Sequence, residues 1–227
     1  MPPEDAARAV RLAARAMARH GLAHAYGHVS VRLDAGRFLV SPPSPLGLVA
    51  EGEAGVEVAI DADLPPRALP EVRIHREIYR RRAEIGGIVR IQPPQLMTLS
   101  ALGRTPRALH GLGSYFAPAP PLWPHVALVR DDPAAAAVAK MLGRANAIVL
   151  RGNGCVAVGE TIAAAAAHAF FLEDAARIEI ALLPATLAGA APLEYSAEEA
   201  ATRAIGAGGL YERMWDYLCN GDPEWRH

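Results

Sequence analysis

Hydrophobic positions along the chain switch between two periods, and the switch points outline the elements. Over residues 4–20, Val10, Ala13, Ala14 and Met17 recur at helical spacing behind Glu4 and Asp5, with Gly21 following, so a helix with one buried face is predicted. From Val29 the period drops to two: Val29, Val31 and Leu33 alternate with Ser30 and Arg32. The turn Asp34-Ala35-Gly36 leads into Arg37–Ser41, which predicts an antiparallel hairpin. Val56–Ile60 reads as a further strand. Two short apolar runs, Ala147–Leu150 and Cys155–Val158, flank Arg151-Gly152-Asn153-Gly154, where Asn-Gly suits a type I′ turn. Helices are predicted over residues 95–102, 134–143 and 160–182, and over 196–219 with a glycine break at 206–209. Residues 105–125 carry no period and are expected to be irregular. A loop of that length in a compact domain is usually functional.

The richest stretch runs from Pro70 to Pro94. Helical spacing covers 71–82, with Ile74 and Ile78 on an apolar edge and Arg80 to Arg82 as a solvated end. Glu71 falls in the first turn, where the helix dipole favours a carboxylate. His75 follows four residues on, so the two side chains share a face. Gly86-Gly87 turns the chain into a strand, Ile88–Gln92, on which Arg90 and Gln92 point one way and Val89 and Ile91 the other. Two long polar side chains on one face mark either an edge opening to solvent or a site formed with Glu71. The same two readings apply to His28, Ser30 and Arg32. They form either the outer face of a hairpin or an anion-binding corner of imidazole, hydroxyl and guanidinium.

Composition narrows the classes. A chain of 227 residues with 52% hydrophobic and 21% charged residues can bury a sizeable core, and no domain linker or repeat interrupts it. A formal net charge of −1 argues against nucleic-acid binding. No uncharged apolar run reaches the roughly 18 residues a membrane span needs. The start Pro-Pro-Glu-Asp enters a helix directly and is not read as a signal peptide. Cys155 and Cys219 lie far apart and form no CxxC pair, which suits a reduced, cytoplasmic setting. Neither GxSxG, GxGxxG nor a Walker A loop is present.

Glu71-x-x-x-His75, a helix, and a buried strand ending Arg90-x-Gln92-Pro-Pro together resemble the class II aldolase/adducin family. The resemblance covers roughly residues 4 to 182. It implies a three-layer α/β/α sandwich with a mainly antiparallel central sheet over residues 1–227, with a helical extension from about 196. In the family's metal-dependent enzymes that strand ends His-x-His, and a third histidine lies in a later Arg-Gly-His-Gly turn. Here those positions read Arg90, Gln92 and Asn153, so no catalytic metal and no other cofactor is expected. Gly27-His28-Val29-Ser30-x-Arg32 is more like the branch that decarboxylates hydroxylated dicarboxylates than the Gly-Asn-x-Ser of sugar-phosphate aldolases.

On this resemblance the chain is a carbon–carbon lyase acting on a small anionic or hydroxylated carboxylate. Glu71 would be the general acid/base, Arg90 a fixed cation in place of the metal, and His110 a proton donor. His28, Ser30, Arg32, His75, Gln92 and Asn153 would bind the substrate. The alternative is a catalytically silent, adducin-like binding or assembly module. A homotetramer is implied in either case, with a dimer as the alternative.

Overall fold

The computed structural model describes residues 3–225. Helix α1 spans Pro3–Arg19 and ends at Gly21, whose φ of +70° only glycine adopts without strain. Three strands follow: β1 (His28–Arg32), β2 (Arg37–Val40) and β3 (Val56–Ala59). Helix α2 (Arg73–Arg81), strand β4 (Gly87–Ile91) and helix α3 (Pro94–Ala101) form the central stretch. Strand β5 is only Leu122–Trp123. Helix α4 (Asp132–Leu142) is capped by the Asp131 side chain, which accepts from the Ala134 amide. Strands β6 (Ala147–Leu150) and β7 (Cys155–Gly159) lead into α5 (Ile162–Leu187). Helices α6 (Ala197–Arg203) and α7 (Leu210–Cys219) complete the described chain.

The strands form a seven-stranded sheet in the order β3-β2-β1-β4-β7-β6-β5. The sheet is mixed: β5 runs parallel to β6, and the remaining neighbours pair antiparallel. Alternation sorts the strand residues onto two cores. Val29, Val31, Val89, Ile91 and Ala157 pack with α1, α3 and α5 on one face. Phe38, Val58, Ile88, Val156 and Val158 pack with α2 and α4 on the other. The Ala-rich surface of α5 lets that helix lie close against β4 and β7, and Gly159 admits it: a Cβ there would sit 2.5 Å from the Ala165 nitrogen. The aromatic side chains Tyr211 and Trp215 of α7 pack against the first core.

Four local expectations need correction. Glu71 lies in a 3-10 turn (Pro70–Val72) that precedes α2, so it is not part of the same helix as His75. The stretch 105–125 contains a 3-10 turn at Gly113–Phe116 as well as β5, both too short to show a period. Helix α5 runs beyond Pro184, whose missing amide is tolerated near an exposed helix end. The β6–β7 turn is not type I′ around Asn153-Gly154. Its positive φ angles belong to Gly152 and Gly154, and the Asn153 amide closes the turn onto the Leu150 carbonyl. No helix among the described residues is long and apolar enough to cross a membrane.

Candidate active site

Strand register places the site. In the β1–β4 ladder His28 stands opposite Arg90, and both side chains rise on the α2 side of the sheet. Gly27, just before β1, has φ +141°, and a Cβ there would meet the Arg90 carbonyl at 2.8 Å, so only glycine lets the strands close at this point. One residue further along β4, Gly154 is pressed against the strand: a Cβ would fall 1.9 Å from the Ile91 oxygen. That contact brings Asn153 to Gln92, whose Nε2 donates to Asn153 Oδ1 at 2.6 Å. Gly154→Ala should therefore cost about 2–4 kcal/mol, from the clash and the positive φ together. It should also separate Gln92 from Asn153. Urea unfolding measures the first effect, and an unchanged midpoint would refute the close packing.

His28, Glu71, Arg90, Gln92 and Asn153 all line one cavity of about 570 Å³. Its walls are largely apolar, from Tyr26, Pro43, Pro45, Leu69 and Leu128. Arg90 is 5% exposed, and its Nε is buried without a hydrogen-bond partner. Burial pulls the guanidinium pKa down, while Glu71 and Cys155 oppose the shift. An unpaired cation beside a cavity is an arrangement an anion would complete. Glu71 accepts from Arg130 Nε at 3.0 Å, so a second arginine reaches the cavity rim. Arg130 comes from the patternless segment before α4, and nothing in the sequence marked it.

The remaining residues predicted for the site do not reach the cavity. Arg32 is spent on the end of α2: its Nε donates to the Ile85 carbonyl at 2.7 Å and its Nη2 to those of Tyr79 and Arg82. Ser30 is fully buried under α2, and His75 is fully buried on the inner face of that helix. The His28-Ser30-Arg32 face is thus neither solvent-exposed nor an anion-binding corner, because α2 covers all but its first residue. Glu71 and His75 do not meet either, since His75 turns inward to His28 and Ser30. His110 lies outside this cavity, flanked by Asp174 of α5 and Arg203 of α6, with its Nε2 buried and unpartnered.

Between the sheet and α2 a chain of contacts runs inward from His28. Its Nδ1 lies 2.7 Å from His75 Nε2, His75 Nδ1 lies 2.6 Å from Ser30 Oγ, and Ser30 Oγ lies 3.0 Å from the Tyr79 hydroxyl. Burial is the main cause that holds both imidazoles neutral, with Arg90 adding to it: His75 falls to about 3, and His28, also facing His75, well below the ordinary histidine value. Burial likewise pushes the Tyr79 hydroxyl up.

A divalent metal needs several lone-pair donors converging on one point. Here Arg90 brings a positive charge, Gln92 and Asn153 bring amides already bonded to each other, and Glu71 is paired with Arg130. Burial pushes the Cys155 thiol up, and among the described residues no three His, Cys, Asp or Glu converge. These residues do not fit a tightly held metal ion.

Fold and site together define a class II aldolase-like lyase scaffold. The model of the Class II Aldolase and Adducin N-terminal domain matches residues 8–180, and the chain belongs to that family. Among similar proteins is a 3,4-dihydroxyphthalate decarboxylase of Terrabacter sp. (strain DBF63), 28% identical over 83% of this chain and 84% of the relative. Among solved structures, the L-fuculose-1-phosphate aldolase from Thermus thermophilus is 28% identical, with a TM-score of 0.72 over 83% of this chain and 99% of that one. An aldolase II superfamily protein from Pseudomonas syringae shares the fold, with a TM-score of 0.78 at 21% identity over 96% of this chain and 92% of that one.

Proposed function

We propose that this chain is a carbon–carbon lyase of the decarboxylase type, acting on a small hydroxylated carboxylate without a divalent metal. Family membership and relatives named decarboxylase and aldolase support a lyase. The observation that carries the finer reading is Arg90, a buried guanidinium with an unpartnered Nε at a position the resemblance assigns to a metal ligand. An apolar-walled cavity with a cationic floor suits a planar, hydroxylated aromatic acid.

In this reading Glu71 takes the proton of a substrate hydroxyl and returns it to the carbon that bears the carboxylate. The bond to that carboxylate then breaks, CO2 leaves, and the electron pair restores the ring. The product oxygen is left anionic. Arg90 stabilises that oxygen through the charge-developing step, and water reprotonates it on release. Gln92 and Asn153 orient the other substituents.

The test is CO2 release from 3,4-dihydroxyphthalate and related hydroxylated aromatic acids, using protein purified without chelator. Metal content well below one equivalent is expected, with turnover unaffected by EDTA. Turnover that requires stoichiometric Mn2+ or Zn2+ would overturn metal independence. Absence of turnover on every such acid would leave the silent binding module as the better reading.

A further inference from the structure

We infer that His28 presents a neutral Nε2–H to an anionic oxygen of the substrate, in a tautomer fixed by a one-way hydrogen-bond chain from Tyr79 through Ser30 and His75. This deepens the decarboxylase reading and rests on it for the nature of the ligand.

The argument is a count of hydrogens. With both imidazoles neutral, Tyr79, Ser30, His75 and His28 carry one polar hydrogen each, and only three contacts link them. One hydrogen is therefore left over, and the chain can dispose of it at either end. Tyr79 is 2% exposed, and Ser30 is its hydroxyl's sole hydrogen-bond partner among the described residues. Leaving the spare hydrogen on either hydroxyl would bury an unsatisfied donor, which is costly. At the other end His28 Nδ1 is taken by His75, and its ring lines the cavity, so Nε2 is the polar atom left for a ligand. The least costly arrangement has Tyr79 donating to Ser30, Ser30 to His75 Nδ1, and His75 Nε2–H to His28 Nδ1. His28 is then left with its proton on Nε2, facing the cavity.

The chain works against a neighbour. Arg90 stands opposite His28 in the ladder, and a guanidinium favours a bare nitrogen lone pair beside it. Without the buried hydroxyls, Arg90 would draw His28 toward the Nδ1–H form, and its Nε2 would compete with the substrate for the cation. With them, Arg90 and His28 both donate, and the oxygen they share must be an acceptor: a carboxylate, a carbonyl or a phenolate. Ser30, His75 and Tyr79 are positioning residues in this scheme, since none touches the cavity.

Nitrogen NMR reads tautomers directly. In the full chain labelled with 15N-histidine at neutral pH, with no ligand added, His28 and His75 should both show a pyrrole-type Nε2 and a pyridine-type Nδ1. The Nε2–H form should outnumber the alternative by more than about tenfold, the ratio set by burying an unsatisfied hydroxyl. An imidazolium, an Nδ1–H form or an even mixture at His28 would overturn the proposal. Ser30→Ala cuts the chain, and Arg90 should then shift His28 toward the Nδ1–H form. A wild-type signature in a folded Ser30→Ala protein would equally overturn it. Should that variant not fold, Ser30→Cys keeps the volume with a weaker donor and should give a partial shift, while an unchanged signature counts against the chain. These spectra need no substrate. The expected tautomer without any turnover would remove the decarboxylase reading and leave the hydrogen-bond chain standing.

Discussion

Arg90→Met should lose about 100-fold or more in turnover while unfolding no more readily than the native chain. The two effects separate because the guanidinium contributes to one and costs the other. Arg90 is buried and makes no hydrogen bond among the described residues, so the fold carries its desolvation with little in return. Replacing an uncompensated buried charge by an apolar chain of similar length is often neutral or stabilising. In the proposed function an anionic ligand in the cavity supplies the missing partner, and losing one member of a buried charged pair costs about 2–5 kcal/mol. Arg90→Lys keeps the charge but loses the planar fork, so its loss of turnover should be intermediate. Urea midpoints and steady-state rates on the same preparations decide the matter. A methionine variant that retains turnover removes Arg90 from the mechanism, and one that unfolds easily shows the arginine to be a structural element.

Acid should destabilise the fold well above the range where surface carboxylates titrate. His75 and His168 are buried and neutral, with burial lowering them from 6.5 to about 3 and about 4. Unfolding returns both to ordinary values, so below pH 6.5 the unfolded chain binds protons that the folded chain refuses. Stability is full above that pH and falls as pH drops toward the folded values. At pH 4.5 each histidine has cost roughly 2–3 kcal/mol, or about 5 kcal/mol for the pair. His28 acts in the same direction. Glu173 and Asp174 act oppositely, because burial raises their pKa and their protonated forms suit the fold. Glu224, held at about 2 chiefly by hydrogen bonding to Arg11, adds to the loss only below about pH 4.5. Urea midpoints at pH 7 and pH 4.5 test this; equal stability at the two would mean the imidazoles are not neutral and buried as described.

Periodicity disclosed most of the elements, because each strand face and helix stripe is buried against another layer and so must be apolar. The same alternation placed Arg90 and Gln92 together, and the Asn153 turn reaches them as the family resemblance implied. What alternation could not disclose was which layer lies over a polar face. His28, Ser30 and Arg32 share one, but α2 covers it, turning Ser30 inward and Arg32 onto helix carbonyls. Arg130 and Leu128 line the cavity from a segment with no pattern to read. The Asn-Gly signal misled for a local reason: Gly152 was present to take the positive φ, so Asn153 did not need it.

The division of labour around the cavity has a bearing on how such a scaffold is re-engineered. His28 and Arg90 sit on neighbouring strands whose spacing the ladder dictates, whereas Tyr26, Pro43, Pro45, Leu69 and Leu128 belong to connecting segments. On the proposed function, reactivity and appetite are therefore encoded in separate stretches of chain. Loop exchange at residues 43–45, 69 and 128 should then retarget the proposed activity to acids of another shape while His28 and Arg90 stay in place.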